Sequence, residues 1–136
     1  MLIEPIHQSS WRAELALRFA RRDATTLLTQ RRHVGPLRVQ KALYPEGKSV
    51  CHAIVLHPPS GIVGGDDLSI QVTLDAQAHA LLTTPGAGKW YRSARPWANL
   101  HNHFEVAAGA CLEWLPQETI FFNGCRAAID SEIRLA

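Results

Sequence analysis

Charge is scarce in this sequence. Asp, Glu, Lys and Arg make up 19% of its 136 residues, where about a quarter is usual for a soluble domain. A surface so poor in charge is expected to be covered by a partner or by more of its own fold. Cysteine is scarce too. Cys51, Cys111 and Cys125 are odd in number and none lies in a CxxC pair, so a paired-cysteine zinc or redox motif is excluded. They read as reduced and structural. No apolar run approaches the roughly 20 residues of a membrane span. Glu4, His7, Arg12 and Glu14 interrupt the start, where a signal peptide would be apolar. No membrane partner is expected, and the cytoplasm is the default location.

Helix signals are also missing. The best candidate, residues 85–94 (PGAGKWYRSA), contains Gly86 and Gly88, which argue against a stable helix. It reads as a loop or a single turn. The Gly-rich run at 61–67 (GIVGGDD) is no phosphate loop: Asp66 and Asp67 follow its glycines where Lys-Ser or Lys-Thr would be needed. The segment after it is β-like, so it opens no dinucleotide-binding helix. No HExxH is present. The basic residues are scattered at strand-like intervals, without a basic helix or aromatic RNA-binding pattern, and nucleic acid is not an expected partner.

What the sequence does contain is apolar alternation. Hydrophobic residues reach 46%. In residues 11–19, Trp11, Ala13, Leu15, Leu17 and Phe19 share one parity, the period of a half-buried strand. A turn at Arg21-Arg22-Asp23 precedes a second strand over 25–31. A third extended run spans 37–43, after Gly35-Pro36. The stretch 50–57 reads as a strand covered on both faces, and 68–74 (LSIQVTL) alternates again. Residues 68–84 and 100–115 each run strand, small residues, Leu-containing run. Their closing prolines, Pro85 and Pro116, lie 31 residues apart, which suggests two copies of one strand–turn–strand unit stacked in layers. The fold class is therefore all-β, with stacked layers, about nine or ten strands and little helix. The final alternating segment, 127–135, runs straight to the last residue, as in a truncated chain.

Charge is unevenly divided. Residues 1–50 hold nine Lys or Arg against four acidic groups, and residues 51–136 hold five against eight. A basic first part suits an acidic partner. His101 and His103 share a strand face and form the one pair to consider for metal contact, although no carboxylate or cysteine at diagnostic spacing completes a first shell. The bland alternative is a polar strand face. His57 is placed to line a site with Asp66. Glu113 and Glu118 bracket a polar turn, where Glu118 either accepts backbone hydrogen bonds or belongs to an interior polar passage.

Four longer motifs carry a resemblance. GPLRVQKALYPEG (35–47), HPPSGIVGGD (57–66), TTPGAGKWYRS (83–93) and LEWLPQETIFFNG (112–124) resemble, in the same order, motifs of the UreD/UreH urease accessory proteins. Ser60 stands where that pattern has glycine. The resemblance runs from about Arg12 to the last residue and implies a single partial UreD-like domain, residues 1–136, with the family's C-terminal half absent. It further implies a β-helical scaffold without catalytic residues of its own. That scaffold acts with UreF and the GTPase UreG on apo-urease, with UreE as nickel donor. No cofactor is expected to be bound tightly, and nickel is handled transiently by the complex. The residues carried forward as partner-facing or passage-lining are His57, Asp66, Asp67, Lys89, Tyr91, Arg92, Glu113 and Glu118. Residues 61–66 and 83–91 are expected to lie together, with Lys89 paired to Asp66. The alternative is a small β-sheet metal-dependent hydrolase built from His57, Asp66, Glu113 and Glu118.

Overall fold

The computed structural model describes residues 12–57, 61–94 and 96–136. Trp11 and Ser60 therefore lie outside the described residues. Within them the chain is all β, with no helix. In chain order the strands are β1 (Arg12–Arg22), β2 (Thr25–Val34), β3 (Arg38–Val39), β4 (Cys51–Leu56), β5 (Asp67–Leu74), β6 (His79–Thr83), β7 (Gly88–Trp90), β8 (Ala98–Val106), β9 (Cys111–Leu115), β10 (Thr119–Phe121) and β11 (Ala127–Leu135).

The strands form three sheets, ordered β11-β8-β5-β1-β2, β3-β4-β6-β9 and β10-β7. The chain visits them in a fixed rotation. From β5 it passes to β6, β7 and back to the first sheet at β8, then repeats through β9 and β10 to β11. Equivalent strands of successive passes pair in parallel: β5 with β8, β6 with β9, β7 with β10 and β8 with β11. Asp67 stands beside Asn99 and His79 beside Cys111, so the repeat seen in the sequence is a true spatial layer. The turns agree as well. Ala78 N–H donates to Asp75 O and Ala110 N–H to Ala107 O, both at 3.1 Å. The third residue of each turn, Gln77 or Gly109, has positive φ.

Alternation decides what is buried. Ala13, Leu15, Leu17 and Phe19 of β1 meet Leu68, Ile70, Val72 and Leu74 of β5, and across from them Cys51, Ala53, Val55, Ala80 and Leu82 of the second sheet. Each buried Leu, Val or Phe contributes on the order of 1.5–3 kcal/mol. Thr26 ties the β1–β2 hairpin to this body. Its hydroxyl donates to Ser49 O at 2.7 Å and accepts the His79 N–H at 3.2 Å, while its carbonyl accepts the Tyr44 hydroxyl at 2.7 Å.

Three expectations need correction. The run 37–43 is a strand only at β3, followed by a single bridge from Leu43 to His52. The outer face of β4 is half-buried rather than fully covered. The stretch 85–94 contains strand β7, because Ile62 and β10 supply backbone partners from neighbouring layers.

Candidate functional site

Three of the four sequence motifs stack on one another at the corner formed by the third sheet. Ile62 N–H donates to Lys89 O at 2.8 Å, and Tyr91 N–H donates back to Ile62 O at 2.9 Å. One layer on, Phe122 N–H donates to Trp90 O and Gly88 N–H to Glu118 O, both at 2.9 Å. The side chains follow the backbone. Tyr91 packs directly over Gly61, where an added Cβ would lie 1.7 Å from the ring. The same ring stacks on Phe122 at 5.2 Å between centroids. Arg92 lies against Gly124, whose φ of 80° suits glycine. Tyr91 and Arg92 thus hold layers together.

Residues 61–66 and 83–91 meet, as expected. The Lys89–Asp66 ion pair is absent from the ion pairs among the described residues. Asp66 is buried, and its Oδ2 accepts the Val63 N–H at 3.0 Å while its carbonyl accepts the Asn99 N–H at 2.8 Å. Its carboxylate shapes the connector, and its backbone ties that connector to β8.

Behind the corner, between the two larger sheets, is a cavity of about 600 Å³. Its wall is mainly apolar, including Ile62, Leu68, Trp90 and Trp114, with Thr84, Lys89, Gln117 and His57 among its polar groups. Asn102 and Ser131 bring polarity to the inner face of the first sheet, in register with Ile70. Asn102 is 6% exposed, and its Nδ2 donates to Ser131 Oγ at 3.3 Å. Its Oδ1 is buried without a hydrogen-bond partner among the described residues. An unsatisfied buried amide oxygen costs about 1–3 kcal/mol, so this polar group stands out in an otherwise apolar strand face.

Comparison with known proteins decides the family. The family model described as UreD urease accessory protein matches residues 12–136. The chain belongs to the UreD family. It is 59% identical over 133 residues to the urease accessory protein UreD of Dechloromonas aromatica, covering 98% of this chain and 46% of that relative. It is 60% identical over 129 residues to the Azoarcus protein of the same name, covering 95% and 45%. The Pseudomonas entomophila UreD is 56% identical over 127 residues, covering 93% and 46%. The chain spans about half the length of the curated UreD relatives it matches.

The remaining candidates in this UreD chain sit away from the cavity. His101 and His103 face outward on β8. His101 lies between Asp130 and Asp67, the latter at 3.5 Å, and His103 lies 3.3 Å from Glu105 and 3.4 Å from Glu132. Arg134 first, and His103 to a lesser degree, hold the Glu132 carboxyl below its ordinary value. Glu113 meets His79 at 3.0 Å on the outer face of β9 and β6. Glu118 is exposed, and its backbone carbonyl serves β7. The four residues of the hydrolase alternative are therefore not gathered: His57 lines the cavity, Glu113 faces outward, Asp66 is fixed in its connector and Glu118 is exposed. No group of three or more His, Cys, Asp or Glu able to hold a metal occurs among the described residues. Among the described residues no helix is long and apolar enough to cross a membrane. Sequence reasoning missed Asn102 and Ser131. Their signal was a polar residue in the apolar parity of β8 and of β11.

Proposed function

We propose that this chain is part of a urease accessory scaffold that helps place nickel in urease, acting with UreF and UreG on apo-urease and receiving nickel that UreE supplies. The family match over residues 12–136 carries this reading. We further read the rotating layers as coils of a β-helix, and the cavity as a segment of an interior passage for transient cargo. Its mainly apolar wall would hold a hydrated ion only loosely, and the polar groups of His57, Asn102 and Ser131 offer successive contacts. His101 and His103 remain a secondary, outward-facing point for weak nickel contact.

Gly86 provides the test. It lines the cavity, and a Cβ added there meets nothing within 4 Å. Gly86→Phe, in a protein of the relatives' full length carrying these residues, adds a bulky ring at the exposed rim of the cavity. The expected result is co-purification with UreF and UreG as before, with the nickel content of urease reduced. Undiminished nickel loading rejects the passage, and failure of the unaltered protein to co-purify with UreF rejects the scaffold reading.

A further inference from the structure

The five-stranded sheet ends on β2, and half of that edge is already covered. Thr26 N–H donates to Lys48 O at 2.9 Å, and the Tyr44 and Ser49 contacts of Thr26 close the same part of the strand. From residue 29 to 34 every side chain is exposed. Among the described residues that stretch pairs on its β1 side only. An edge strand turns alternate backbone donors and acceptors outward, which makes it a template for another strand.

The chemistry of this edge is one-sided. β2 contains Arg31, Arg32 and His33 and no acidic residue. Successive strand residues point to opposite faces, so Arg31 and Arg32 flank the edge above and below. Arg12 and Arg18 of β1 are ion-paired with Glu14 and Asp75. Arg31 and Arg32 have no acidic partner among the described residues. Beside Arg32 in register stands Ala16, whose small side chain leaves a depression on the outer face, rimmed by Arg18, Gln30 and Gln71.

We propose that the open half of β2 takes an added strand from an acidic, extended protein segment, with carboxylates on its two faces meeting Arg31 and Arg32. Charges on an edge ordinarily discourage unwanted pairing. Two unpaired arginines do so for neutral and basic strands, and an acidic strand cancels them. Both the ladder and the charges then favour the same occupant, the strand-addition mode of recognition. A nucleic acid matches the edge less well. It lacks an amide ladder, and one phosphate backbone lying on one face reaches only one of the two arginines. This inference concerns a partner surface and does not rest on the nickel-passage reading.

Fluorescence anisotropy tests it, using the purified chain fused to a soluble carrier. The probes are a ten-residue peptide alternating Glu with Val or Thr, the same peptide N-methylated at alternate residues, and a single-stranded oligonucleotide. The first peptide should bind, and the N-methylated one, which keeps the charge but loses the ladder donors, should bind at least about tenfold more weakly. Arg31→Glu/Arg32→Glu should remove binding of the acidic peptide while circular dichroism stays unchanged, since both side chains are exposed. Equal binding of both peptides would reduce the edge to a charged patch and overturn the proposal. So would preferred binding of the oligonucleotide, or no binding of the acidic peptide to the unaltered chain.

Discussion

Gly61 holds two loops together by lacking a side chain. The Tyr91 ring occupies the space where its Cβ would be and passes the contact on to Phe122. Gly61→Ala should therefore lower stability by about 1–3 kcal/mol, the usual cost of overpacking, read as a lower urea midpoint. Tyr44 gives a pH-dependent counterpart. Burial first, and then its neighbour Cys51, pushes its phenol up to about 12, while an unfolded tyrosine ionises near about pH 10. The fold thus favours the neutral phenol. That contribution is complete below about pH 10 and is lost as pH rises through about 12. Tyr44→Phe should cost about 1 kcal/mol at neutral pH, because the bond to the Thr26 carbonyl is lost. It should also flatten the stability loss above about pH 10, as urea titrations at neutral and alkaline pH will show. Gly61 could be read from the sequence as part of a tight connector, and Tyr91 only as a partner-facing or passage-lining candidate. Their contact could not, because it joins layers about thirty residues apart through a corner that no local pattern describes.

The strands divide by how local their cause is. β1 and β5 alternate over eight or more residues, and the sequence shows both the strands and the faces they bury. β7 and β10 have three residues each and exist because each finds the other, so their periodicity is unreadable. β8 and β11 are intermediate cases. Their alternation was clear, yet Asn102 and Ser131 could be recognised as cavity-lining only once the layers were stacked. The two outermost strands of the large sheet differ in kind. β2 carries unpaired arginines, whereas β11 exposes Ile129, Ile133 and Leu135, the last at 76%. Beside it, Leu115, Phe121 and Phe122 are exposed as well. Apolar exposure concentrated on one layer is an association surface or an aggregation hazard. Ile133→Lys/Leu135→Lys should raise soluble yield while changing stability by no more than about 0.5 kcal/mol, measured by centrifugation and urea unfolding. An unchanged yield would mean that this face is not what limits solubility.

For the whole molecule, successive passes stack their strands in parallel around one buried apolar cluster between the two larger sheets. The UreD relatives are about twice as long as the part this chain matches. The most direct measurement is urease activity, with urease nickel content, in a strain lacking its own UreD. Residues 1–136 are expressed there with UreF, UreG, UreE and apo-urease, beside a protein of the relatives' full length that carries these residues. The full-length protein should restore activity, and residues 1–136 alone should leave urease without nickel. Full activity from residues 1–136, or none from the full-length protein, would contradict the account.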